Sequence, residues 1–174
     1  MSRRDKKSAP ALGIDIGGVL IRPARDSGDT SFFSSGYLET PIVDGAFEAV
    51  ARLNKLVFPD RVFLVSKAKS GTAQKTVKWL AHRRFHETTG VPLERVHFCE
   101  RREDKAIIAK RLRLTAFIDD RLDVLGHLAG VKTRILFAAS ATLAPAQTPP
   151  DGVQFAIGWA ATLDLFSAGR VCAL

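Results

Sequence analysis

The sequence predicts a three-layer α/β domain around a parallel, Rossmann-like sheet, and three observations predict it. Apolar runs of strand length alternate with amphipathic segments of helix length along the chain. The connections leave no room for antiparallel hairpins, so right-handed crossovers must join the strands. Three of the runs end in polar residues, at Asp15, Ser66 and the pair Asp119-Asp120. Ligands bind at the carboxyl ends of the strands in such sheets.

Residues 1–10, ending at Pro10, read as a disordered basic tail carrying Arg3, Arg4, Lys6 and Lys7. Ala11 to Ile16 is continuous and apolar, as a central parallel strand is, and it runs into Gly17-Gly18. Residues 22–41 are polar, rich in Ser and Gly, and carry Phe32, Phe33 and Tyr37. A loop of that length is usually functional, so a flap beside the site is expected. Asp44 is an N-cap candidate for an amphipathic helix to Val57, with Phe47, Val50, Ala51 and Leu53 turned inward. Pro59-Asp60 ends that helix, and Arg61 to Val65 is a second strand terminating at Ser66.

Gly71 and Thr72 open a helix to His86, with Val77, Leu80, Ala81 and Phe85 as its core stripe, broken by Gly90 and Pro92. Arg95 to Cys99 is the third strand, with Cys99 read as a small buried apolar residue. A helix over Glu103 to Leu112 carries Lys105 in its first turn, where the helix dipole disfavours a cation. Thr115 to Ile118 is the fourth strand, Leu122 to Leu128 a helix stopped by Gly130, and Thr133 to Phe137 the fifth strand. Beyond an Ala/Pro/Thr-rich connection at 138–152, Val153 to Ile157 suits a short strand and Trp159 to Phe166 a closing helix. Trp79 and Trp159 are expected in the core.

At 174 residues, 46% hydrophobic and 25% charged, the chain has the size and composition of one globular domain, placed at 11–174. No apolar run approaches the about 20 residues of a membrane span, and none follows the basic tail as in a signal peptide. A cytoplasmic protein that meets no membrane is expected. Cys99 and Cys172 give neither a disulfide framework nor a zinc spacing. His82 and His86 stand four apart, as a zinc pair would, but no third ligand is near.

The formal net charge is +8, with further basic clusters at Arg83-Arg84 and from Arg101 to Arg113. Such a surface favours a polyanionic or phosphorylated partner, although solvated basic helix faces give the same composition. No aromatics interleave with these clusters, so a single-strand stacking platform is not expected.

Asp15 has two readings, since an Asp before Gly also caps turns. The coincidence of three polar strand ends argues for a site. Carboxylates gathered there from distant segments repel one another unless a cation lies between them, and a donor set of oxygens alone suits Mg²⁺.

These residues resemble the haloacid dehalogenase (HAD-like) superfamily of phosphohydrolases over nearly the whole chain from residue 11. Asp15 with Gly17-Gly18-Val19-Leu20 resembles its first motif, whose leading Asp is the nucleophile. Ser66 matches the hydroxyl that holds phosphoryl oxygens, Lys105 the lysine that neutralises nucleophile and phosphate, and Phe117-Ile-Asp-Asp-Arg-Leu-Asp123 the acidic metal motif. The resemblance implies Mg²⁺ held by Asp15, the carbonyl of Gly17, Asp119, and Asp120 or Asp123 through water. Ser66, Lys105 and main-chain N–H groups such as that of Gly18 would then bind phosphate.

Two departures qualify what is implied. The residue two after the nucleophile is usually a second Asp that protonates the leaving group, and here it is Gly17. Neither the 22–41 loop nor the segment from Ser66 to Lys105 is long enough for a full cap domain. The site should therefore be open, suiting a macromolecular substrate or a lid donated by a second subunit in an oligomer. Two function classes follow. One is a Mg²⁺-dependent phosphohydrolase acting through Asp15 on a phosphorylated small molecule, with a nucleotide or nucleic-acid end favoured. The other is a degenerate relative that binds phosphorylated ligands or nucleic acid without turnover.

Overall fold

The computed structural model describes residues 9–22, 36–144 and 149–167. Six strands form one sheet: β1 (Leu12–Ile14), β2 (Val62–Lys67), β3 (Val96–Cys99), β4 (Ala116–Asp119), β5 (Thr133–Ala138) and β6 (Val153–Ile157). Their spatial order is β3-β2-β1-β4-β5-β6, and every pairing is parallel. Helices α1 (Ala46–Arg52), α2 (Ser70–His82), α3 (Phe85–Thr89) and α6 (Gly158–Ser167) pack on one face. Helices α4 (Lys105–Leu112) and α5 (Leu122–His127) lie on the other. This is the three-layer, Rossmann-like fold that the alternation predicts.

Strand alternation sorts the core into two layers. Leu12, Ile14, Leu64 and Ile118 bury toward the first set of helices, while Val65, Phe117 and Leu136 bury toward α4 and α5. Gly13 falls on the second side, where a Cβ would lie 2.5 Å from the Phe117 ring and 2.6 Å from Leu114. Only glycine lets that ring pack across β1. Trp79 and Trp159 are core residues as expected, and each also pins a loop: their indole N–H groups donate to the Thr40 and Val19 carbonyls at 2.9 and 3.0 Å. The Trp159 bond holds the turn that follows β1.

β1 lies between β2 and β4, so the chain winds outward in both directions from it. The switch point therefore falls between β1 and β4, and the crevice at their carboxyl ends is where such sheets bind ligands. Between β2 and α4 stand only α2, α3, a short 3₁₀ turn and β3, so no cap domain is inserted there.

Several element ends differ from expectation. Asp44 does not cap α1: left-handed Gly45 (φ 72°) occupies the N-cap, and exposed Asp44 instead pairs with Arg22 at 2.6 Å. The same helix continues past Arg52 as a π turn over Leu53–Val57, closed by the Phe58 N–H on the Leu53 carbonyl. The expected helix to His86 breaks at Arg83-Arg84, where Arg84 is left-handed (φ 56°). The turn delivers Phe85 into the core, edge-on to Phe47 at 5.1 Å, and puts His82 and His86 on separate helices. Cys99 is half-buried and not fully buried, because it lies on the edge strand β3.

Of the expected flap, residues 23–35 with Phe32 and Phe33 lie outside the described residues, as do residues 1–8 of the tail and Cys172. Tyr37 packs on the core, with the Lys75 ammonium 5.4 Å from its ring centroid. Among the described residues no helix is long and apolar enough to cross a membrane.

Candidate active site

Asp15 is the first residue after β1 and Asp119 the last of β4. Ile14 pairs with Ile118, and the Asp15 N–H donates to the Ile118 carbonyl at 2.9 Å. The two carboxylates therefore stand abreast at the switch point, on strands about 4.8 Å apart, and both are buried. Two such charges in low dielectric repel strongly.

Lys105 answers that repulsion. It opens α4 and is only 2% exposed, so the ordinary expectation of a surface lysine does not hold. Its ammonium donates to Asp15 Oδ1 and to Asp119 Oδ2, both at 2.8 Å, and lies 5.8 Å from the Phe117 ring centroid. Burial pulls its pKa down, but the charges of Asp15 and Asp119 outweigh burial and hold it above the usual lysine value. The ammonium stays protonated.

Asp120 completes the cluster. Asp15, Asp119 and Asp120 each offer a carboxylate oxygen, all within 4.8 Å of one another. Burial, then the charge on Asp15, pushes Asp119 well above the carboxylate range. Asp120 is solvent-exposed on its outer side, yet its carboxyl lies against Gly18, and burial followed by the Asp15 charge raises it to about 7. The Arg121 N–H donates to Asp119 Oδ1 at 3.0 Å, fixing that carboxylate from the side opposite Lys105.

Other residues singled out in the sequence stand apart from the cluster. Asp123 accepts from Arg121 at 3.1 and 3.4 Å and lies 3.9 Å from Arg102. Burial pushes its carboxyl up, but these two arginines prevail and hold it below the usual range. Ser66 is the last residue but one of β2. Leu64 pairs with Ile14, so Ser66 falls one level beyond Asp15 on the neighbouring strand; its carbonyl accepts from Cys99 Sγ at 3.8 Å.

Gly18 adopts φ +75°, and a Cβ there would run into Asp120. Its N–H donates to the Ile21 carbonyl at 3.0 Å, so in this structure it closes the turn and does not point to a ligand. Gly17 is half-buried and outside the left-handed region. Phe117 and Arg121 stood in the sequence only as members of the acidic run, with no role of their own. Alternation places Phe117 on the face of Asp119 two residues on, and an N–H two residues after an Asp is the usual Asx-turn donor.

A pH dependence follows from Asp120. An unfolded Asp titrates near about 3.9, so in metal-free protein this group's contribution to stability is full below that value. It is lost as pH rises through about 7. Binding of a divalent ion requires the ionised carboxylate. A divalent ion held by this cluster would accordingly bind more tightly as pH rises from about 6 to about 8, read by calorimetric titration with Mg²⁺. An affinity flat over that window would mean that Asp120 takes no part.

Compared with protein-family models and with curated proteins, the chain matches none.

Proposed function

We propose that the chain is a Mg²⁺-dependent phosphohydrolase of the haloacid dehalogenase type, with Asp15 as its nucleophile. The observation that carries this reading is the buried Lys105 ammonium, held 2.8 Å from both Asp15 and Asp119 at the switch point of the sheet. Desolvating three such groups is a poor route to stability, whereas a ligand crevice has use for them.

The donor set fits Mg²⁺. It consists of carboxylate oxygens, two of them pushed toward protonation by burial and then by the Asp15 charge, which a cation would offset. Asp15, Asp119, Asp120 and the Gly17 carbonyl would hold the ion, which when bound supplies the positive charge a phosphoryl dianion needs beside a carboxylate.

Asp15 attacks phosphorus through a carboxylate oxygen, forming an acyl phosphate as the ester P–O bond breaks. The bonding pair leaves with the alcohol oxygen, which takes its proton from water because Gly17 has none to give. Water then adds to phosphorus, the bond to Asp15 breaks, and phosphate departs with the carboxylate restored and a proton passed to solvent. Lys105 neutralises Asp15 and the phosphoryl oxygens throughout, and Ser66 at the adjacent strand end serves the remaining oxygens. The charge of +8 and the lack of a cap between β2 and α4 favour a nucleotide or a phosphorylated nucleic-acid end as substrate.

Gly17 supports a second reading, a protein that binds phosphorylated ligands without turnover. The test is turnover with Mg²⁺ of p-nitrophenyl phosphate, nucleotides and phosphorylated DNA or RNA ends. Turnover that falls to background in Asp15→Asn is expected. Turnover that survives this change removes Asp15 as nucleophile. Beryllofluoride binding without any turnover establishes the second reading in place of the first.

A further inference from the structure

The face of the sheet that carries α4 and α5 is not fully covered. β3 is an edge strand, and on this face β2 and β3 present half-buried Phe63 and His97. Leu64 pairs with Val96 and Val65 with His97, so Phe63 stands beside Arg95 across the pair. Arg61 and Arg95 place their guanidinium carbons 5.9 and 6.0 Å from the Phe63 centroid, and the His97 ring is 6.0 Å away. From α4, exposed Arg111 bears on His97, and the Leu112 carbonyl takes the Arg61 Nη2 at 3.2 Å.

We propose that this strip, Phe63 and His97 framed by Arg61, Arg95 and Arg111, binds single-stranded nucleic acid. Its charge is complementary to a polyanion. Among the described residues, the one carboxylate paired with these three arginines is Asp60, 3.7 Å from Arg95 and itself 83% exposed. A phosphate can take its place without leaving a buried acid unpaired. The aromatic ring separates nucleic acid from an acidic peptide, because every base has a face to stack and guanidinium planes add to such stacks. Burial, then the Arg111 charge, holds His97 below its ordinary value, so at neutral pH its ring is uncharged and offers both a donor and an acceptor to a base edge.

The strip lies along the amino half of β2 and β3; beyond Phe63 the same face of β2 is closed by fully buried Val65, the partner of His97. Along the chain the basic clusters hold no aromatic among their cations. Folding supplies one, by setting Phe63 of β2 against residues from β3 and α4.

Binding is measured by anisotropy of a fluorescein-labelled oligothymidylate of about 12 nucleotides, on full-length protein in EDTA. Saturable binding is expected, competed by the unlabelled strand and not by a duplex of the same length or by polyglutamate. Phe63→Leu should weaken it about tenfold. Arg111→Gln, a surface change that leaves the core alone, should weaken it and lower the salt slope by about 0.7. Circular dichroism checks that both variants fold. Absence of saturable binding, equal competition by polyglutamate, or affinities unchanged in both variants overturns the proposal. Asp15→Asn should bind as wild type does. Binding without phosphatase turnover would therefore sink the proposed activity and leave the strip standing, and turnover without binding would do the reverse.

Discussion

Lys105→Met is expected to lower the unfolding free energy of the metal-free protein by about 3–5 kcal/mol at neutral pH, read from urea melts in EDTA. Methionine keeps most of the volume in a position only 2% exposed, so the loss reports charge and not a cavity. What is removed is the cation between Asp15 and Asp119, and what remains is a pair of buried carboxylates with Asp120 beside them. Such a cluster must protonate or find another cation.

Both escapes are measurable. Acidification should stabilise the variant relative to wild type, since Asp119 and Asp120, already raised, then lie further above their unfolded values and take up protons that the unfolded chain does not hold. Wild type lacks this gain from Lys105. That ammonium's folded value is raised, so its contribution is full below the unfolded value of about 10.4 and is lost only as pH climbs through the folded one. Millimolar Mg²⁺ should recover more stability in the variant than in wild type. A variant as stable as wild type in EDTA would show that the two 2.8 Å bonds contribute nothing, and the site reading would lose its main support.

The fold was legible because its signals are periodic. Val62 to Lys67 and Ala116 to Asp119 are apolar up to a polar end, and the helices between them keep an apolar stripe. The misplaced ends lie where tertiary packing overrules local preference. Nothing near Arg83-Arg84 announces a break, since its cause is the seat for Phe85 beside Phe47, a residue of another helix. Asp44 is a good cap by composition, but the chain enters α1 through left-handed Gly45, which turns Asp44 outward.

In the site, Asp15 and Asp119 were legible as acids that apolar strands do not ordinarily carry. Lys105 was legible as a cation at the wrong end of a helix dipole. Its burial was not, because that depends on the register that sets Ile14 beside Ile118. The strip around Phe63 was illegible for the same reason: Arg61 and Arg95 approach the Phe63 ring, and Arg111 bears on neighbouring His97, only after β2, β3 and α4 have assembled.

Gly17→Asp is expected to raise turnover of alkyl phosphates by about 10²–10⁴-fold, the usual contribution of a general acid–base group. An alkoxide is a poor leaving group, and a carboxyl two residues from Asp15 would give it a proton and later draw one from the attacking water. The backbone accepts the change, since Gly17 lies outside the left-handed region and is only half-buried. Gly18 could not accept it: its φ is +75°, and Asp120 occupies the space a side chain would need.

Leaving-group dependence shows whether the new carboxyl works as an acid. p-Nitrophenolate departs without a proton, so its ester should gain far less from Gly17→Asp than an alkyl phosphate does. An equal gain on both would mean that the new carboxylate acts on the cation or on binding. The variant's pH profile should acquire a descending limb at high pH, where the acid is ionised. Asp15→Asn in the same background should return turnover to background. No gain on either ester would show that more than a proton donor is missing, which is the behaviour required of a protein that holds phosphate at Asp15 and Lys105 without cleaving it.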